Sequence, residues 1–137
     1  MNNHVDYSMT DDIVDVELSS RIYKICRNRQ FRCGRGSDFV AFMNLEEHDT
    51  EVSVIQGEKS RVCYMLYQVS CHLNQPCRRE EWLMTMLDML HIELTHYKAH
   101  YMDVCGVKHR REGSHVRGLS KENKNFRQQI DNAIGFS

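Results

Sequence analysis

A single proline and seven glycines punctuate this chain of 137 residues. Sheets built from hairpins need turn residues at short intervals, whereas helices run through without them, so the scarcity points to an all-α fold. The hydrophobic spacing agrees. Val14, Leu18, Ile22 and Ile25 recur at helical intervals, with Thr10 or Asp11 placed to cap and acids in the first turn, which predicts a helix over 11–29. "FRCGRGSD" interrupts it, and Ser37 or Asp38 can cap a short helix carrying Phe39, Val40, Phe42 and Met43. In "NLEEHDTEVSVIQG", Leu45, Val52 and Ile55 share one side up to Gly57; a third short helix fits, and so does a strand, because "TEVSVI" alternates.

Val62, Leu66, Val69 and Leu73 mark the most regular helix of the chain. It must stop at "NQP", since Pro76 disfavours a helical Gln75 and removes a donor; the next helix is expected from about Arg78. Trp82, Leu83, Met86, Leu87, Leu90, Leu94, Tyr97, Tyr101 and Val104 then keep helical spacing to Gly106. They fit one long helix, or two with a break near "LHIELT", where Thr95 stands ready to cap. The expected core is Leu18, Ile22, Val62, Leu66, Val69, Trp82, Leu83, Leu87 and Leu90.

With 41% hydrophobic and 27% charged residues, a chain of this length supports one core and is short for two. The expected organisation is an N-terminal tail (1–10), a helical bundle (11–105), a basic hinge (106–118) and an amphipathic C-terminal segment (119–137). In that last segment Leu119, Phe126, Ile130 and Ala133 or Ile134 form a stripe, with Ser120 to cap and Gly135 to stop. About fifteen such residues are marginal as a free helix, so the stripe must dock on the bundle or on a neighbouring copy. No apolar run is long enough for a membrane span, and the acidic start "MNNHVDYSMTDDIVDVE" is unlike a secretory signal. Six cysteines in such a chain read as free thiols, which suits the cytoplasm or the nucleus.

Charge is segregated into blocks. Asp6, Asp11, Asp12, Asp15 and Glu17 precede Arg21, Lys24, Arg27, Arg29, Arg32 and Arg35; Glu46, Glu47, Asp49 and Glu51 follow, and the tail is basic again. Blocks of opposite sign either let like domains dock or steer a polyanion to one face, and they also occur on surfaces with no partner. For nucleic acid the candidates are Arg32, Arg35, Lys108, Arg110, Arg111 and Arg117, with the Arg-Gly-Arg-Gly of "CRNRQFRCGRGS" and its interleaved Phe31 a faint echo of RNA-binding repeats.

A metal site finds little support. Cys71 and Cys77 are more widely spaced than zinc pairs usually are, His72 points elsewhere on its helix, and "HIELTH" is not the zincin pattern, although His96 and His100 share a helical face. Cys63, Cys71 and Cys77 read instead as small buried residues near helix contacts. "CGRGSD" lacks the lysine and spacing of a phosphate loop, and no pairing of nucleophile and base stands out, so neither a cofactor nor catalysis is expected.

The order of elements, with "LEEHDTEVSVIQGEKSRVCYMLYQV" followed by a corner and then Trp82, Leu83, Leu87, Asp88 and Leu90, resembles a caspase-recruitment domain of the death fold, in particular those at the front of RIG-I-like RNA helicases. The resemblance covers about 11–105 and implies a six-helix bundle with a basic extension. It implies assembly with a protein of like fold, or with itself, through charged faces: Arg21, Lys24, Arg27 and Arg29 on the basic side, and Asp11, Asp12, Asp15, Glu46, Glu47 and Asp49 on the acidic side. Signalling in innate immunity or cell death is the role it implies.

Overall fold

The first helix is shorter than its hydrophobic spacing suggests, because a polar side chain claims the backbone before it and a backbone turn at Asn28 ends it early. The structure, a computed structural model, describes residues 12–106 and 120–135. Helix α1 (Val16–Cys26) is capped by Asp15, whose carboxylate accepts from the backbone N–H of Leu18 at 3.0 Å. The residues before it are held elsewhere. Ile13 and Val14 donate backbone N–H groups to Asn44 Oδ1 at 2.7 and 3.0 Å, and Asn44 Nδ2 donates to the Val14 carbonyl at 3.1 Å. Groups bonded in that way cannot also serve a helical ladder, so the expected start at Thr10 or Asp11 moves to Asp15. At the other end Arg27 is extended and Asn28 takes a left-handed φ of 60°, a conformation asparagine tolerates. The chain turns there into β1 (Phe31–Arg32).

Helix α2 (Gly36–Met43) ends in a Schellman motif without a glycine. Glu46 N–H reaches the Ala41 carbonyl at 2.8 Å, Leu45 N–H reaches that of Phe42 at 3.0 Å, and Leu45 itself has φ 61°. This stop decides the following segment. Asp38, expected as a cap, is buried and accepts from the backbone N–H groups of Asp49 and Thr50, both at 3.2 Å, and from the Thr50 hydroxyl. The loop so clamped delivers β2 (Ser53–Val54), which pairs antiparallel with β1 in the register Phe31–Val54 and Arg32–Ser53. The third short helix therefore does not form, and the alternation of "TEVSVI" prevails.

Helices α3 (Lys59–Ser70) and α4 (Arg79–Met89) flank the proline corner, where Pro76–Arg78 make one 3₁₀ turn. Trp82 is fully buried and its indole Nε1 donates to the Met43 carbonyl at 2.7 Å, which ties α4 to the end of α2. Leu18, Ile22, Val62, Leu66, Val69, Leu87 and Leu90 are buried with it; Leu83 is half-buried at the edge. The open question at "LHIELT" resolves into two helices, α4 and α5 (Leu94–His100). A second Schellman motif separates them: Ile92 N–H bonds the Leu87 carbonyl at 2.9 Å, His91 N–H bonds that of Asp88 at 3.1 Å, and His91 has φ 61°. Glu93, not Thr95, precedes α5.

The amphipathic C-terminal stripe docks on the bundle. Helix α6 (Lys121–Gly135) buries Phe126, Ile130 and Ala133 against α1 and α3, and Ser120 Oγ accepts from Asn123 N–H at 3.1 Å. Six α-helices and one short two-stranded ribbon thus make up the described residues, a mostly helical architecture. None of these helices is long and apolar enough to cross a membrane. The tail 1–10, Asp11, Leu119 and most of the basic hinge lie outside the described residues.

Candidate functional site

The turn between α1 and β1 gathers the cations expected to form a basic face. Asn28 N–H bonds the Phe31 carbonyl at 2.8 Å, and Arg29 and Gln30 N–H both reach the Cys26 carbonyl, so the segment folds back tightly on the helix end. Phe31 is fully buried, packed edge-on to Phe39 with ring centroids 5.3 Å apart. That anchor turns Lys24, Arg27, Arg29 and Arg32 into solvent. Arg27 lies over the Tyr23 ring at 5.6 Å, which stiffens its side chain. None of the four has a carboxylate within ion-pair distance among the described residues.

The other arginines of the block are committed. Arg21 turns toward α6, where Nη1 donates to the Ala133 carbonyl at 3.2 Å, close to the negative end of that helix. Arg35 bonds Asp38 at 3.2 Å and Asp49 at 2.9 Å, and the Asp49 and Asp38 carboxylates raise its pKa above the ordinary value. Arg61 is held by Glu58 and Asn123. Of the cations expected to bind nucleic acid, only Arg32 presents itself unpaired; Lys108, Arg110, Arg111 and Arg117 lie outside the described residues.

The acidic candidates divide in the same way. Asp15 is spent on its cap and Asp49 on Arg35, while at Asp12 it is the backbone carbonyl, not the carboxylate, that accepts from Asn74 and Gln75 at 3.3 and 3.4 Å. Glu46 and Glu47 are exposed and have no ion-pair partner among the described residues, as is true of Glu51 farther along the same loop. Glu46, Glu47 and Glu51 thus gather on the loop between α2 and β2, which meets the basic block through the Arg35–Asp49 pair.

Asp38 is the carboxylate of this region whose pKa is strongly lowered. The Thr50 hydroxyl, and then the Asp49 N–H and Arg35, hold its carboxyl down at about 2 against the opposing effect of burial. Its role is to shape the loop that presents Glu46, Glu47 and Glu51. No spacing rule announces it, because its partners stand on the far side of a turn. Asn44 escaped notice for the same reason.

The cysteine and histidine positions behave differently from expectation. Cys63 is buried as anticipated, but Cys71 and Cys77 are exposed, because the corner they flank lies at the surface. Arg79 reaches Cys71 Sγ at 3.4 Å and Ser70 Oγ at 3.1 Å. His96 and His100 pack with ring centroids 4.5 Å apart, and His100 Nδ1 lies 2.8 Å from Asp103. Burial, and then the His100 ring, lower the pKa of His96. No group of three or more histidine, cysteine or acidic residues among those described is placed to hold a metal ion.

Comparison with protein-family models, with curated proteins and with solved structures finds no match.

Proposed function

We propose that the chain is a non-catalytic interaction domain that docks an acidic protein surface through Lys24, Arg27, Arg29 and Arg32. One observation carries this reading: these four cations, around the turn from α1 to β1, are exposed and have no ion-pair partner among the described residues, while Arg21, Arg35, Arg61 and Arg78 are each bound within the molecule. Long basic side chains with no internal acid keep their full charge for a partner. The partner proposed is a domain of like fold or a second copy of this chain, offering Glu46, Glu47 and Glu51. The resemblance to caspase-recruitment domains supports the same assembly, with innate immune or death signalling in the cytoplasm as its setting. Nucleic acid is the second reading, carried by the same cations. Burial of Phe31 counts against it, since that ring is not free to stack on a base.

The test is scattering mass as a function of concentration and salt, alongside anisotropy with labelled single-stranded RNA and duplex DNA. Self-assembly raises the mass of the pure protein and weakens with salt, because charges more than about 8 Å apart are screened at physiological ionic strength. Arg27→Glu with Arg29→Glu should abolish the contact. A mass that stays monomeric at all concentrations, together with salt-dependent RNA binding, would hand the surface to the second reading.

A further inference from the structure

The corner between α3 and α4 opens on a cleft of about 540 Å³, within the range of small-molecule sites. Tyr67, Leu83 and Tyr101 contribute to its wall, while Cys77, Arg79, Glu80 and Lys98 stand around it, all four exposed. Among the described cysteines, only Cys77 lines it.

Arg79 is positioned there without being neutralised. Its Nε donates to Ser70 Oγ at 3.1 Å and its Nη2 to Cys71 Sγ at 3.4 Å, and the guanidinium lies 5.9 Å from the centre of the Tyr67 ring. A hydroxyl, a thiol and a ring face orient the group but bring no countercharge. Arg78, the preceding residue, shows the contrast, because its guanidinium closes onto the Glu81 carboxylate at 3.1 Å. Neither Arg79, Lys98 nor Glu80 has an ion-pair partner among the described residues. The cleft thus sets two cations and one carboxylate around one accessible thiol.

We propose that Cys77 is a modification site for a small peptide thiol bearing two carboxylates and one ammonium, the charge pattern of glutathione. Arg79 and Lys98 take the carboxylates, and Glu80 takes the ammonium. The covalent step is thiol–disulfide exchange, with the disulfide of that same peptide as the oxidant. The Cys77 sulfur, its proton lost to solvent, attacks one sulfur of the disulfide; a bond forms to the seated half, the old S–S bond breaks, and the other half leaves as a thiolate. Cys77 is oxidised and the departing half is reduced, so no further reactant is needed. Exposed ion pairs add modest affinity, which here holds the reagent beside the thiol and raises its local concentration. Cys71, exposed too but in contact with Arg79 and outside the lining, lacks that advantage. This site is separate from the basic turn of Lys24, Arg27, Arg29 and Arg32 and does not depend on it.

The full reduced chain, treated with glutathione disulfide and separately with the neutral hydroxyethyl disulfide, tests the proposal, with adducts located and timed by peptide mass mapping. Each rate is divided by that of N-acetylcysteine amide with the same reagent, which cancels differences between leaving groups. The first adduct should form on Cys77, with a corrected rate about tenfold higher for glutathione disulfide than for the neutral reagent. Arg79→Gln with Lys98→Gln should bring that ratio to about one while leaving the neutral reagent's rate unchanged. Lys98→Glu, which leaves the contacts of Arg79 in place, should lower the ratio as well. The proposal is overturned if the unaltered chain shows no preference between the reagents, if the preference survives either variant, or if the first adduct forms on Cys71 or Cys105. A disulfide between Cys71 and Cys77 in place of the adduct also overturns it, and would make the corner a dithiol pair.

Discussion

The helix pair α3–α4 and the segment from β1 through β2 lie side by side but are held by different forces. The pair is closed by apolar burial: Val62, Met65, Leu66, Val69, Trp82 and Met86 each have essentially no surface left in solvent. The segment contributes Phe31, Phe39 and Phe42 to the same core, yet its path is decided by two buried polar side chains, Asp38 and Asn44. Burial is non-directional and tolerates small shifts, whereas a buried hydrogen-bonding group fixes one geometry or costs its desolvation. The proposed surfaces follow that division. The acidic loop and Arg32 belong to the segment organised by polar contacts, and Arg27 and Arg29 stand on the turn that leads into it.

Deleting apolar volume in the pair should give the largest effect. Trp82→Ala removes the largest fully buried side chain and the bond to the Met43 carbonyl, and should cost about 3–5 kcal/mol in denaturant unfolding. Ile130→Ala, fully buried on α6, should cost about 2–5 kcal/mol if that helix belongs to the same cooperative unit. A loss under about 1 kcal/mol at Ile130 would place α6 outside it.

Asn44→Ala acts on the other force. It orphans the N–H groups of Ile13 and Val14, and leaving buried donors unpaired costs about 1–3 kcal/mol. Amide exchange should accelerate at Ile13 and Val14 while α3 keeps its protection. Equal acceleration in α3 would show that the two regions unfold as one, and would dissolve the distinction drawn here.

These contrasts also explain what could be read in the chain. The core of α1, α3 and α4 was legible because apolar residues repeat at the helical period, and the tail helix because Phe126, Ile130 and Ala133 do so with Ser120 to cap. The start of α1 was not, since Asn44, distant in sequence, claims the backbone of Ile13 and Val14. The third helix failed on Asp38, whose bonds to Asp49 and Thr50 depend on the end of α2. The basic turn was legible as a block of charge. Which of its members stay unpaired was not, because Arg21 and Arg35 find their partners only once α6 and the acidic loop are in place.

Acid should separate the two regions without any substitution. Asp38 has a folded-state pKa depressed to about 2 from an ordinary 3.8. A depressed carboxyl contributes its stability above the unfolded value and loses it as pH falls through the folded one, so the loss falls between about pH 4 and pH 2. Over that window the amides of Asp49 and Thr50 should lose protection before those of α3. Asp38→Asn should remove the pH dependence of that local opening, and an unchanged profile would assign it to another carboxyl.

The smallest effect should be a gain. His91 ends α4 with φ 61°, where a side chain costs about 1–2 kcal/mol of steric strain that glycine avoids. Glycine loses more freedom on folding, by roughly 0.5–1 kcal/mol, which offsets part of the relief. His91→Gly should therefore stabilise by about 0.5–1 kcal/mol, whereas His91→Val, branched at Cβ, should destabilise. The Schellman bonds from Ile92 to Leu87 and from His91 to Asp88 survive both changes, because they use backbone alone.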